Sequence, residues 1–78
     1  MKPIPTDWHG VALAKLTKVM GGATGEGLAR SVLEEIAIER VSSASDLRNF
    51  AVALARRGGF ATAVAALLTL HATMYDEA

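Results

Sequence analysis

An all-α fold of four short antiparallel helices, arranged as two helical hairpins in one compact bundle, follows from three observations on this chain. Apolar residues recur at spacings of three and four, the period of a helix with one buried face. Glycine pairs and hydroxyl or carboxylate caps bracket each periodic segment. No alternating apolar and polar run is long enough for a strand.

The elements follow in order. Thr6 or Asp7 can cap a first helix carrying Trp8, Ala12, Leu16, Val19 and Met20 on its buried stripe, with Gly21 and Gly22 ending it. Thr24 is expected to cap the second helix, with Glu26 in its first turn and Leu28, Ala29, Val32, Leu33 and Ile36 facing inward. Ser43 followed by Asp46 approximates a capping box before the stripe Leu47, Phe50, Ala51 and Leu54. Arg56 and Arg57 are placed in the last turn of that third helix, and Gly58 with Gly59 closes it. The fourth helix begins near Phe60.

The 78 residues make one domain, with residues 1–5 and 76–78 expected to fray. At this size a core typically supplies only about 3–5 kcal/mol. With no cysteine, disulfides and thiolate metal sites are excluded, so helix packing or self-association must add stability. The hydrophobic fraction of 51% and mean hydropathy of +0.30 are those of a packed chain rather than a disordered one. Eight basic and eight acidic residues cancel, and the pI near 6.7 gives no general attraction for nucleic acid or anionic lipid. The N-terminus MKPIPTDWHG has prolines and an aspartate where a signal peptide has its apolar run, which predicts a cytoplasmic protein.

Offsetting the chain by 34 residues pairs Leu13 with Leu47, Leu16 with Phe50, Met20 with Leu54, Ala29 with Ala63, Leu33 with Leu67 and Ile36 with Leu70. Within the second half, Leu47, Phe50, Ala51 and Leu54, then Gly58 and Phe60 at the turn, then Ala63 and Leu67, resemble a tetratricopeptide (TPR) helix pair spanning residues 47–70. In such a pair small Ala51 and Ala63 would let the helices approach while Phe60 plugs the end of their interface. Leu70 departs from the pattern, which has a small residue there. The resemblance implies a concave groove lined by first helices, in which Lys15, Lys18, Arg48, Asn49 and Arg56 would present a mildly basic surface to an acidic segment or chain terminus.

Chemistry-bearing constellations are absent from the pattern. His9 and His71 have no carboxylate at helical spacing. Glu34, Glu35 and Glu39 lack the facing histidines or carboxylates of a bridged metal site, and Glu26, Arg30 and Glu34 read as an i, i+4 ladder on a solvated face. GGATGEGLAR lacks the lysine, the hydroxyl residue and the preceding strand of a phosphate loop. No serine sits in a nucleophile elbow. The sequence thus predicts a non-enzymatic protein with no cofactor and no metal.

The stretch from Gly58 to Tyr75 has no Asp, Glu, Lys or Arg in eighteen residues. Its apolar length falls short of the roughly 20 residues that span a bilayer. As a helix it predicts one core-facing stripe, Phe60, Val64, Leu67, Leu68, His71, Met74 and Tyr75, and one small uncharged face, Thr62, Ala66, Thr69 and Thr73. That second face is the expected contact with a second copy. The predicted function is a helical protein–protein interaction module, an adaptor, regulator or inhibitor that forms a homodimer. The alternative is a small DNA-binding regulator using Arg48, Arg56 and Arg57, for which affinity would fall steeply with salt.

Overall fold

The computed structural model describes residues 7–75, which form four helices and no strand. They are α1 (Trp8–Met20), α2 (Gly22–Glu35), α3 (Ala44–Ala55) and α4 (Phe60–Tyr75). The all-α class and the helix count are as the sequence predicts. Thr6 and the termini expected to fray lie outside the described residues, as does the side chain of Tyr75.

Asp7 caps α1, its Oδ1 accepting from the Gly10 amide at 3.0 Å. A single residue, Gly21 at φ +91°, then turns the chain into α2. Only glycine enters that region without steric penalty, and because the connection takes a single residue, Gly22 is already helical. This corrects the expected start: Thr24 sits inside α2 rather than capping it, and Glu26 lies beyond the first turn.

At the other end of α2 the Ala37 amide donates to the Glu34 carbonyl and the Ile38 amide to the Leu33 carbonyl, the bond pattern of a Schellman motif. Ala37 takes the left-handed position at φ +60°, where glycine is the usual occupant. Ser43 caps α3 by accepting from the Asp46 amide at 3.1 Å, and Asp46 Oδ2 in return accepts from Ser42 at 3.0 Å. The predicted reciprocal cap therefore forms with the aspartate reaching one residue further back. Arg56 and Arg57 follow α3 instead of completing its last turn, and Gly58 and Gly59, both at positive φ, lead into α4.

α1 packs chiefly on α2 and α3 chiefly on α4, with α1 also lying against α4. Phe50, Leu16, Leu47, Leu54, Leu68, Val32, Val41 and Val64 are fully buried at the centre. Alanines fill the rest of the core, among them Ala12, Ala29, Ala51, Ala53, Ala61 and Ala72, so backbones approach closely while the interior stays dense. Among the described residues no helix is long and apolar enough to cross a membrane.

The facing of α4 is the main correction. Its core side consists of Ala61, Val64, Ala65, Leu68 and Ala72, with His71 half-buried. Phe60, Leu67 and Met74, expected inward, stand outside, and so does Leu70. The helix is rotated because the alanine ridge permits a closer approach to α3 than the larger side chains would. Val19, expected on the buried stripe of α1, is likewise exposed.

Candidate protein-docking face

The outward side of α4 is the most unusual surface of the molecule. Phe60 is 73% exposed, Met74 62%, Leu70 56% and Leu67 46%. Thr62, Ala63, Ala66, Thr69 and Thr73 of the same helix are exposed as well. No residue of α4 carries a carboxylate, ammonium or guanidinium, so the face has no formal charge from end to end. Scattered exposed apolar residues are ordinary, but a contiguous patch marks a contact surface.

The threonines add little polarity to it. Thr73 Oγ1 donates to the Thr69 carbonyl at 3.0 Å, and Thr62 Oγ1 donates to the Ala55 carbonyl at 3.3 Å. With those donors satisfied internally, a partner can cover either residue without stranding a hydroxyl proton. The four residues read from the sequence as a self-association face, Thr62, Ala66, Thr69 and Thr73, are all exposed here, beside the larger apolar stripe that the sequence placed in the core.

On the α1 side this face deepens into a groove of about 150 Å³ lined by Leu67, Leu70, His71 and Met74, with Lys15 as the wall from α1. The Trp8 ring meets His71 edge-on, with centroids 6.0 Å apart and planes at 88°. Burial, and after it the positive charge of Lys15, holds the His71 pKa below its ordinary 6.5, so the imidazole is neutral at pH 7.

The basic residues expected to share a groove are dispersed. Lys15 lines the groove just described, whereas Lys18, Arg48, Asn49 and Arg56 do not. Lys18 and Asn49 are exposed on α1 and α3, and Arg48 is half-buried on α3. Arg56 pairs with Glu35 at 3.5 Å; Arg57 reaches the same carboxylate at 3.0 Å and donates to Ser31 Oγ at 2.9 Å. The turn after α3 is thereby tied to α2 through one carboxylate. In the TPR-like segment Leu47, Phe50, Ala51 and Leu54 are buried as the spacing suggests, while Phe60 does not plug the helix pair and Ala63 lies outside it.

A second cleft, of about 360 Å³, lies between α1, α2 and the loop after α2, and His9, Glu26, Arg30 and Glu39 contribute its polar wall. His9 Nδ1 accepts from the Val41 amide at 3.1 Å, so this imidazole holds the α2–α3 loop against α1. Among the described residues no group of three or more His, Cys, Asp or Glu stands where it can hold a metal ion.

The signal that turns this side of α4 outward was present in the sequence as the series Ala61, Val64, Ala65, Leu68 and Ala72, a helical stripe in its own right. Hydropathy alone favours the leucine and phenylalanine stripe over an alanine one. Comparison of the chain with protein-family models, curated proteins and solved structures gave no match.

Proposed function

We propose that this chain is a non-enzymatic helical protein–protein interaction module, acting as an adaptor, regulator or inhibitor, that self-associates through the outward face of α4. One observation carries the reading: the exposed residues of α4, from Phe60 through Leu67 and Leu70 to Met74, form an uncharged stripe that its own core does not cover. Burying apolar surface is worth roughly 25 cal/mol per Å², so covering this stripe is a favourable step still open to the folded chain. The formal net charge of zero adds no long-range repulsion between copies.

The DNA-binding alternative has less support. Arg56 and Arg57 direct their charge to Glu35, and α2 beside them contributes Glu34 as well.

Light scattering on wild type, Leu67→Glu and Leu70→Glu tests the proposal. The wild type is expected at twice the chain mass of 8.2 kDa, and both variants at the chain mass, with circular dichroism still helical. A wild type that stays monomeric at high micromolar concentration refutes self-association.

A further inference from the structure

The groove on α4 and the exposed ring of Phe60 belong to the same helix, at its two ends. Leu67, Leu70, His71 and Met74 stand at positions i, i+3, i+4 and i+7. Four residues at that spacing form the hole that receives one knob from a facing helix. Phe60, 73% exposed, projects from the opposite end of α4 with nothing in its own fold covering most of it. The groove, of about 150 Å³, is open to solvent, so a side chain of a second copy can enter it from outside.

Resting on the docking-face reading above, we infer that the second copy packs antiparallel along α4, so that Phe60 of each copy enters the groove of the other. A two-fold axis crossing α4 at the level of Ala65 sets Phe60 opposite Leu70 of the partner subunit and Ala63 opposite Leu67 of the partner subunit. The exposed stripe Phe60, Ala63, Leu67 and Leu70 has steps of three, four and three, and the series is the same read in either direction. The seam is therefore complementary to itself under that axis.

Two physical arguments select antiparallel over parallel packing. In a parallel pair Phe60 would meet Phe60 and Ala63 would meet Ala63, giving one crowded layer and one empty one; the antiparallel pair sets large against small at Ala63. Antiparallel helix dipoles attract, whereas parallel ones repel. Lys15, at the groove wall, lies where a cation can sit against the ring of the inserted phenylalanine.

The cysteine-free chain makes a direct test simple. In the antiparallel pair the two copies of Ala66 lie about 3 Å apart along the helix axis, and the two copies of Met74 about 27 Å apart. A short bis-maleimide linker is expected to join Ala66→Cys into a dimer and to leave Met74→Cys unjoined. Phe60→Ala is expected to weaken dimerisation at least tenfold by sedimentation while its dilute-solution melting temperature stays that of wild type. Cross-linking of Met74→Cys, or of neither variant, overturns the antiparallel arrangement. A dimeric wild-type mass in that case leaves the docking-face reading standing, and a monomeric mass removes both. Unchanged dimerisation in Phe60→Ala also overturns the knob assignment.

Discussion

Gly25 of α2 crosses Thr17 of α1 so closely that a Cβ on Gly25 would lie 2.9 Å from both the Cα and the amide nitrogen of Thr17. Those atoms are backbone and cannot swing aside, so any side chain here must push the two helices apart. Gly25→Ala is therefore expected to destabilise the fold by about 1–3 kcal/mol, the usual cost of overpacking a tight contact. Gly27, two residues on, has nothing within 4 Å of its would-be Cβ. Gly27→Ala is expected to stabilise by about 0.5–1 kcal/mol through helix propensity alone. Urea denaturation of the two variants reads opposite signs from the same substitution in the same helix.

Ala37 offers a stabilising change of another kind. Its φ of +60° places a Cβ in the left-handed region, at a cost of roughly 1–2 kcal/mol for a residue other than glycine. Ala37→Gly removes that strain and gives back about 0.4–1 kcal/mol through the freer unfolded chain. A net gain of about 0.5–1 kcal/mol follows from the difference. Thermal melts of Ala37→Gly should rise by a few degrees, and an unchanged or lowered melting temperature would contradict the strain argument.

These positions show what the sequence makes legible. The cap of α3 could be read directly, because Ser43 and Asp46 act on backbone groups within the same turn. The start of α2 was displaced because Thr24 is an adequate cap by residue type, whereas Gly21 wins by geometry. Gly25 was invisible as a contact because its role exists only once α1 lies across it. The outward face of α4 was half legible. The absence of charge from Gly58 to Tyr75 marked the helix, but Ala61, Ala65 and Ala72 carry so little hydropathy that Phe60, Leu67 and Met74 outweighed them in choosing the inward side. Close helix approach, which favours small residues, is a tertiary effect that no single-helix pattern contains.

His9 makes a contact of high sequence separation, accepting from the amide of buried Val41. Replacing it with phenylalanine keeps the ring volume and removes the acceptor, which leaves a part-buried amide unsatisfied. His9→Phe is expected to cost about 1–3 kcal/mol. Because the lost bond anchors the α2–α3 loop, hydrogen exchange of the Val41 and Ser42 amides should accelerate more than that of the Leu54 amide in α3. Equal protection at all three sites would show that the imidazole does not hold the loop.

His71 gives the fold a pH dependence whose sign is fixed by its surroundings. Burial first, and the ammonium of Lys15 second, lower its pKa in the folded protein below the ordinary value of 6.5 that the unfolded chain retains. Between those two values the unfolded chain binds more protons than the folded one, so stability rises with pH through that window. The contribution is complete above pH 6.5 and is lost as the pH falls below it toward the folded value. Urea midpoints of wild type should decrease on acidification from pH 7 to pH 5 more than those of His71→Gln, which has no proton to take up. The same imidazole lines the groove on α4 and meets Trp8, the single tryptophan, edge-on. Tryptophan emission should therefore titrate with an apparent pKa below 6.5 in wild type and stay flat over that range in His71→Gln. A transition above 6.5 would mean that a carboxylate, rather than Lys15 and the apolar wall, governs this ring.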